Sequence, residues 1–597
     1  MMKSSRAHII ILLLTTFLFY YNSVSNDFAL DDALVLTNNE LVHQGIRGIP
    51  DIVSHDVFYG ATRSESKQLS WRYRPMSLIS YAVEYTIFKE NASGYHFMNL
   101  LYYALLGVVL YRFLFKWIFP ARAFASFLTT MIFIASPVHP EVVANIKSRD
   151  EIFALLFLIL HIDAALKYMT QRKTSALLTA SLFLLLALMS KEINVIALAM
   201  TPVLWFVLNR ESVRTALLKS IPFLLIGALF ILMRVWISPI PKDQNNIMSD
   251  PYFLAVGWQK LATIVFVLLK YMQLMIWPDN LIFDYGFNHI AYYSFSDPVV
   301  MISFLLHLSL LAWATIGCFR RESAAMFMLF YLGGIFLLSN ALLKVGPPLA
   351  ERFLFTPGLF FILAMAILLD NLIRKKIEEK YKKPLLAFTL VYLGLCFSIV
   401  RARNFEWKNN ATLYFADVKK APNSFRIQAF CGMTLLSGVD EISDSTERVQ
   451  MIRDAIGYFQ KAYSIYPDYG PMYQDWGSCY QRLGNIDSTE WAWSRSKQLL
   501  PDSRFHQQNE EMLSTMKYNA CVAEYQRVKG SMNIPQLLEI QRRCVLYKPD
   551  LAASWLLLGK LYFVNRQSDS ALICWKKSFQ LDPAEEEAKQ LLNQYGR

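Results

Sequence analysis

Residues 8–33 read HIIILLLTTFLFYYNSVSNDFALDDA, an apolar run that ends in a short polar segment and two adjacent carboxylates. A helix needs about 20 mostly apolar residues to cross the hydrocarbon core of a bilayer. Lys3 and Arg6 precede the run, as in a signal peptide, but no small-x-small cleavage site follows it. We therefore expect a retained membrane anchor that leads directly into a functional loop.

Similar apolar runs recur over the first two thirds of the chain. Candidate spans lie near 8–24, 97–115, 123–138, 152–168, 175–190, 193–209, 215–233, 261–277, 299–319, 324–343, 353–369 and 384–400. Apolar residues make up 54% of the 597 residues and charged residues only 18%, with a mean hydropathy of +0.29, so an ordinary soluble protein is excluded. The pattern predicts an all-α protein with a polytopic membrane domain, 1–402, and a soluble domain, 403–597.

The net charge of +12 comes from basic residues scattered at span ends, which does not indicate a nucleic-acid partner. These residues fall on alternate short loops, as the positive-inside rule predicts for cytoplasmic loops, so loop 25–96 should be external. Counting spans forward from the N-terminus and backward from the basic loop at 319–323 places both ends of the run 261–277 on the same face of the membrane. This run also contains Lys270. We predict an interfacial or re-entrant helix there, and hence eleven true spans.

The soluble domain shows self-similarity at a fixed period. Pro467 and Pro501 are 34 residues apart, as are Pro549 and Pro583, and 34 residues is the period of the tetratricopeptide repeat. Small residues and aromatics recur at matching positions before three of these prolines, whereas the unit ending at Pro549 is degenerate. An α-solenoid of this kind either binds a protein or peptide or stabilises the membrane domain.

Two adjacent carboxylates, Asp31 and Asp32, follow the first span closely enough to lie near the membrane interface. The phosphate of a lipid-linked sugar would lie at the same depth. One carboxylate of such a pair can act as a general base while the other orients an acceptor or binds a cation. A solvated turn is the plain alternative.

The second external loop, 136–151, contains nine polar or charged residues between two spans. Arg149 or Lys147 could hold a lipid phosphate, since arginine offers a bidentate fork and lysine a point charge. His139 and Glu141 could contact the sugar or shape the pocket. Surface charges at a helix start are the plain alternative.

Three further charged strings occur at predicted external span ends: Trp71-Arg72-Tyr73-Arg74-Pro75, Lys191-Glu192 and Glu351-Arg352. Carboxylates mixed with several cations on one membrane face favour an anionic lipid-phosphate donor. No metal site is expected, because the seven cysteines show no CxxC spacing and His139 has no metal-type ligands at useful spacing.

The ordered set of strings resembles the transmembrane and tetratricopeptide repeat-containing protein O-mannosyltransferases, within the C-type glycosyltransferase fold. The strings that carry the resemblance are Leu30-Asp31-Asp32, Tyr73-Arg74-Pro75, Tyr95-His96-Phe97-Met98-Asn99-Leu100, Pro137-Val138-His139-Pro140-Glu141 through Arg149-Asp150, Lys191-Glu192, Trp277-Pro278, Phe283-Asp284-Tyr285, Glu351-Arg352-Phe353-Leu354 and Arg403-Asn404-Phe405-Glu406-Trp407.

The resemblance implies an inverting transfer of a sugar, mannose in that family, from a polyprenyl-phosphate donor to Ser or Thr hydroxyls of extracytoplasmic proteins, without a metal or other cofactor. It implies that Asp31 or Asp32 is the base and that Arg149, His139 and Glu141 lie around the donor. Arg74, Lys191 and Arg352 are further candidates for binding the phosphate.

The small number of repeats fits a bacterial relative, with an inner-membrane location and a periplasmic active site. In a eukaryote the corresponding location is the lumenal side of the endoplasmic reticulum membrane. The protein acceptor is expected to be held by the repeats.

Other functions stay open at this point. The same fold could transfer a sugar to lipid A, a polysaccharide or another lipid, although such acceptors need no external solenoid. A non-enzymatic scaffold needs one anchor rather than eleven spans. A transporter should show mid-membrane charges, and His161 and Asp163 are the notable intramembrane pair.

Overall fold

The computed structural model describes residues 2–62, 72–238, 247–248, 250–342, 344–376, 382–531 and 533–596, so the predicted loops 25–96 and 236–258 lie partly outside it. Within these ranges the chain contains helices and no strand, which confirms the predicted all-α class. The chain forms two compact units, Met1–Ile427 and Gln428–Arg597.

The first unit is built from long apolar helices joined by short connections. They are α1 Met2–Tyr20, α2 Pro75–Phe88, α3 Ala92–Phe113, α4 Ala123–Ile134, α5 Arg149–Gln171, α6 Thr174–Ser190, α7 Ile196–Val207, α8 Val213–Ile237, α9 Gln259–Ile276, α10 Pro298–Phe319, α11 Ser323–Leu338, α12 Phe355–Lys376, α13 Lys382–Glu406 and α14 Asn410–Lys420.

Seven segments of the described residues are long and apolar enough to cross a membrane: Arg6–Ser25, Ala92–Ile118, Ile146–Gln171, Val213–Ile237, Gln259–Ile276, Pro298–Phe319 and Glu351–Leu372. Four shorter apolar helices lie between them in the first unit: Ala123–Ile134, Thr174–Ser190, Glu192–Val207 and Ser323–Leu338. Their number and composition are consistent with a multi-pass integral membrane protein.

The connections carry short helices that fold the polar loops back onto the bundle. They are Tyr21–Ser25, Ala33–Thr37, Glu40–His43, Gly45–Gly48, Ile49–Ser54, Tyr59–Thr62, Leu114–Ile118, Pro140–Val143, Ile146–Ser148, Glu192–Val195 and Glu351–Leu354. Asn39 caps the helix at Glu40 by accepting from the Val42 backbone N–H, and Pro75 starts α2, where no backbone N–H is needed.

Residues 403–427, which the sequence assigns to the soluble domain, lie in the first unit. Arg403 donates to both carboxylate oxygens of Asp417, over 2.6 and 3.2 Å, and both side chains are buried. Asp417 also accepts the backbone N–H of Phe283 at 2.6 Å, and Lys420 donates to the Leu281 carbonyl at 3.1 Å. This buried ion pair and the two hydrogen bonds to the backbone of 281–283 tie the segment to the first unit.

The second unit contains paired antiparallel helices, and α15 Phe425–Gly438 spans the boundary between the units. The remaining helices are α16 Ser445–Ile465, α17 Gly470–Arg482, α18 Ile486–Leu499, α19 His506–Val528, α20 Ile534–Tyr547, α21 Ala552–Val564, α22 Ser568–Leu581 and α23 Glu586–Tyr595, with short turns at Val439–Glu441 and Lys529–Ser531.

A glycine–tryptophan contact shows why the repeat period exists. A Cβ atom on Gly477 in α17 would lie 2.3 Å from Cδ1 of Trp493 in α18, and a Cβ on Gly559 in α21 would lie 2.4 Å from Cδ1 of Trp575 in α22. Both glycines stand at the same distance in sequence before the proline that ends their helix pair. The close approach of the paired helices therefore requires glycine and a large aromatic at fixed positions.

Candidate active site

A cavity of about 300 Å³ lies where the polar loops of the first unit meet. One part of its wall is charged and consists of Arg72, Arg74, Lys147, Lys191, Glu192, Arg234 and Arg352. The other part is apolar and consists of Ile193, Val195, Phe230, Ile231, Leu337, Leu338, Val345 and Phe353. Such a wall fits a ligand with an anionic end and a hydrocarbon end.

Arg74 is fixed in the wall by two carboxylates from different loops. Its Nη1 atom lies 2.7 Å from Oδ2 of Asp150, and its Nε donates to Oε2 of Glu192 over 2.9 Å. Glu192 also accepts the backbone N–H of Tyr73 at 3.0 Å. Burial disfavours the charge on Arg74, but Glu192 and Asp150 outweigh burial and raise the pKa of the guanidinium above its usual value.

Two other cations of the wall, Lys191 and Arg352, are also paired with carboxylates. Lys191 forms an ion pair with the buried Glu151, and Arg352 with the buried Glu141. Glu141 also accepts the backbone N–H of Arg352 at 2.8 Å. Because unpaired charges are costly in an apolar interior, these pairs hold the loops together.

The residues that line the cavity comprise six cations and one carboxylate, Glu192. Asp150, Glu151 and Glu141 form ion pairs with Arg74, Lys191 and Arg352 from behind this lining. The guanidinium carbon of Arg352 and the ammonium nitrogen of Lys191 lie 5.3 and 5.8 Å from the centroid of the Phe353 ring. The lining therefore presents several cationic donors that suit a phosphate group.

The two carboxylates of the acidic pair have different environments. Asp32 is fully buried, and its oxygens accept the backbone N–H groups of Ala29 at 3.0 Å and Lys147 at 2.7 Å. Burial raises the pKa of Asp32 to about 7, although these two hydrogen bonds oppose the shift. Asp32 therefore links the first loop to the loop that precedes α5.

Asp31 is only half-buried, and no donor among the described residues hydrogen-bonds to its carboxylate. It interacts electrostatically with Arg72, Lys147 and Arg352, three cations of the cavity wall. Asp31 does not itself line the cavity, but its carboxylate lies close enough to three lining cations to interact with them.

Arg149, predicted to bind the donor, does not line the cavity. It is fully buried and donates to Asn99 Oδ1 at 2.6 Å, Glu84 Oε2 at 2.6 Å, Ser80 Oγ at 2.9 Å and the Tyr95 carbonyl at 3.1 Å. The structure gives this guanidinium a role in packing α2 and α3 against α5.

His139 also lies away from the cavity wall. Its Nδ1 is 2.8 Å from the hydroxyl of Tyr103, and its ring packs against Phe133 and Phe355. Burial lowers the pKa of His139 to about 3, so the ring is neutral at physiological pH. Of the predicted donor residues, the structure brings Arg74, Lys191 and Arg352 together at the cavity, with Glu141 behind Arg352.

The intramembrane pair His161 and Asp163 does not form a polar path. His161 is bonded to the Ala180 carbonyl at 2.9 Å and to Thr201 Oγ1 at 3.0 Å, within the packed bundle. Asp163 pairs with Lys116 at 2.9 Å and with Lys167.

Arg72 and Glu192 lie in charged strings that the sequence singled out, but no role was assigned to them, and Arg234 and the apolar wall were not predicted. Arg234 could have been found from the sequence, because a cation at the predicted external end of a span departs from the positive-inside pattern. The described residues contain no group of three or more His, Cys, Asp or Glu side chains placed to hold a metal ion.

Curated proteins resemble this chain over most of its length. It is 27% identical over 440 residues to the protein O-mannosyl-transferase F38B6.6 of Caenorhabditis elegans, a match that covers 72% of this chain and 60% of the relative. It is 20% identical to the protein O-mannosyl-transferase TMTC3 of mouse and of human, with 94% of this chain covered and 62% and 63% of the relatives. The chain thus spans somewhat less than two thirds of the length of these relatives.

No family model matches the chain. Among solved structures, the APC/C hetero-tetramer Cut9-Hcn1 aligns at 13% identity over 87% of this chain and 89% of that chain, with a TM-score of 0.15, which is too low to support an argument about the fold. The curated homologues of the chain are the protein O-mannosyl-transferases of the TMTC group, which confirms the resemblance predicted from the ordered motifs.

Proposed function

We propose that this chain is a membrane glycosyltransferase that moves a sugar, mannose by analogy with its relatives, from a polyprenyl-phosphate donor to Ser or Thr hydroxyls of proteins. The observation that carries the proposal is a cavity whose lining combines six cations with an apolar wall, and three of these cations interact electrostatically with the Asp31 carboxylate. No soluble nucleotide-sugar donor needs the apolar part of this wall.

The donor is expected to bind with its phosphodiester among the cations and its first isoprene units along the apolar wall. Arg74, Lys191 and Arg352 are held in place by carboxylates before any ligand arrives, so little reorganisation is needed on binding. The side chains of Phe230, Ile231 and Leu338 line the apolar part.

Asp31 is the proposed base. Its carboxylate takes the proton of the acceptor hydroxyl, whose oxygen forms a bond to the anomeric carbon of the sugar. The bond from that carbon to the phosphate oxygen breaks, and its electron pair leaves with the polyprenyl phosphate. A single displacement of this kind inverts the anomeric centre.

The cations stabilise the charge that develops in this step. The phosphodiester carries one negative charge before the reaction, and the departing phosphate gains a second. Because the leaving oxygen is already a weak base, we assign no general acid, and preorganised cations supply the stabilisation. Asp32 has both oxygens occupied by backbone N–H groups, so we assign it a structural role.

The positions of the cavity residues also support eleven spans with α9 at the interface. Arg234 ends α8 and Arg352 precedes α12, and both line one cavity, so an even number of the three intervening apolar helices should cross the membrane. The start of α9 is tied to the segment before α10, since Thr263 Oγ1 accepts the Tyr293 backbone N–H at 2.9 Å. We therefore propose that α10 and α11 cross, that α9 does not, and that the cavity lies on the external side.

The test uses the purified full chain in lipid nanodiscs with radiolabelled mannosyl phosphates of dolichol and undecaprenol, and a mixture of extracytoplasmic proteins as acceptors. Wild type should move label onto protein in a linkage released by β-elimination, and Asp31→Asn should abolish the transfer. Asp27→Asn is the matched control, because this exposed carboxylate lies in the same loop and bonds only locally, to the Phe28 backbone N–H.

If the label moves only onto lipid or glycan, the acceptor is not a protein and that part of the proposal is wrong. No transfer with either donor would refute the proposal and favour a scaffold or a transporter. Activity with one lipid only would identify the host's polyprenol class.

A further inference from the structure

The end of α13 and the segment that follows it hold the start of the first loop through several hydrogen bonds. Asn26 Nδ2 donates to the carbonyls of Asn404 at 3.0 Å and Trp407 at 3.2 Å. The backbone N–H of Asp27 donates to the Lys408 carbonyl at 2.8 Å. Residues far apart in the sequence therefore form one hydrogen-bonded layer directly before the acidic pair.

One further contact reaches the residue that precedes Asp31. The side-chain Oδ1 of Asn410 accepts the backbone N–H of Leu30 over 2.7 Å. Leu30 has a φ of +51°, in the left-handed region that a leucine rarely adopts. A backbone in this region persists only where its surroundings hold it, and Asn410 supplies the hydrogen bond at that point.

The conformation of Leu30 sets the direction in which the chain continues into Asp31. On the other side, Asp32 is fixed by its bonds to Ala29 and Lys147. The Asp31 carboxylate accepts no hydrogen bond from the described residues, so its direction is set by these two neighbours.

We propose that Asn410 is a positioning residue for the sugar transfer, which holds Leu30 in its left-handed conformation and so aims the Asp31 carboxylate at the cavity. This inference rests on the proposed function. Asn410 does not touch the cavity wall, so its effect passes through the backbone of Leu30.

The neighbouring asparagine provides a matched control. Asn409 caps α14, with its Oδ1 2.9 Å from the Thr412 backbone N–H, and within the described part of the chain its hydrogen bonds go to Thr412 rather than to the first loop. Replacing a capping asparagine by alanine destabilises a helix, whereas the link between Asn410 and Leu30 is left in place. The two adjacent variants thus separate a loss of local stability from a loss of positioning.

The experiment compares Asn410→Ala, Asn410→Asp and Asn409→Ala in the full chain, using the mannosyl-phosphate donor that supports wild-type transfer. Misaligning a catalytic group by about 1 Å can cost about 100-fold in rate, so we expect Asn410→Ala to lower kcat by about 10- to 100-fold while the KM for the donor changes less than about twofold. Asn410→Asp keeps an acceptor oxygen for Leu30 and should return kcat to within about threefold of wild type. Asn409→Ala should lower the thermal midpoint and leave kcat unchanged.

Wild-type kcat in Asn410→Ala would overturn the inference, as would an equal loss of kcat in Asn409→Ala. Hydrogen exchange tests the same contact without any turnover. Exchange of the Leu30 amide should be about 10-fold faster in Asn410→Ala, as expected for the loss of one hydrogen bond of about 1.4 kcal/mol, and an unchanged rate would refute the inference even if no transfer were found. Inactive wild type together with faster exchange would reject the proposed function instead.

Discussion

Replacing Asp32 by asparagine separates the two members of the acidic pair. Asp32 accepts two backbone N–H groups with two different carboxylate oxygens, whereas asparagine offers one carbonyl oxygen and an amide group that cannot accept. The N–H of Ala29 or of Lys147 must therefore lose its acceptor. Asp31 accepts no such bond from the described residues, so Asp31→Asn removes none.

The expected magnitude follows from the cost of a buried donor without a partner. That cost is about 1–3 kcal/mol, which corresponds to roughly 5- to 150-fold in the equilibrium for local opening. Hydrogen exchange measured by mass spectrometry on the chain in nanodiscs at pH 8 should show this acceleration at Ala29 or Lys147 in Asp32→Asn. In Asp31→Asn the same amides should exchange at wild-type rates while sugar transfer is lost.

Wild-type exchange at both amides in Asp32→Asn would refute the structural role assigned to this carboxylate. Equal acceleration in Asp31→Asn would also contradict it, because the two side chains would then share one function. Retained transfer in Asp31→Asn with loss in Asp32→Asn would exchange their proposed roles.

The pKa of Asp32 adds a pH dependence whose sign can be worked out. Burial raises the pKa of this carboxyl from its usual value to about 7, so between about pH 4 and pH 7 the native state binds a proton that the unfolded state does not. Stability from this group is therefore gained as the pH falls through about 7. The thermal midpoint of wild type should therefore rise relative to that of Asp32→Asn from pH 8 to pH 5, and a constant difference would contradict the assignment.

Two further substitutions test the apolar wall and the repeats. Ile231→Trp should fill the apolar part of the cavity and raise the KM for a long-chain donor by about 10-fold, equivalent to about 1.4 kcal/mol, with little change for a donor of one or two isoprene units. The control Leu232→Trp changes an exposed neighbour and should alter neither KM. Equal effects of the two variants would show that the apolar wall does not bind the donor. Gly477→Ala places a Cβ against the ring of Trp493 and should destabilise the second unit by about 1–3 kcal/mol, measured by urea unfolding, whereas Gly457→Ala has open space and should be neutral or slightly stabilising.

The sequence predicted the features that depend on local pattern. Apolar runs of the length of a membrane span became the long helices of the first unit, and the proline period predicted the helix pairs of the second. Charged strings at span ends identified Arg74, Lys191 and Arg352, because a charge next to an apolar run is costly unless it has a partner or a function.

The rest of the site depends on pairings between distant residues, which no local pattern specifies. Arg149 and Arg352 are both arginines beside a carboxylate in the sequence, yet one is enclosed by Glu84, Asn99 and Ser80 while the other faces the cavity. Asp31 and Asp32 are identical neighbours in the sequence, yet only Asp32 is fully buried and accepts the backbone N–H groups of Ala29 and Lys147.

The hydrogen bond from Leu30 to Asn410 spans 380 positions of the sequence. At a synthesis rate of about 5–20 residues per second, the ribosome needs roughly 20 to 80 s after making Leu30 before it makes Asn410. During that time the first loop is already made, but its partner in this contact does not yet exist. An unfinished chain would thus be unable to fix the proposed base, and it would acquire an aligned carboxylate only when the segment after α13 emerges.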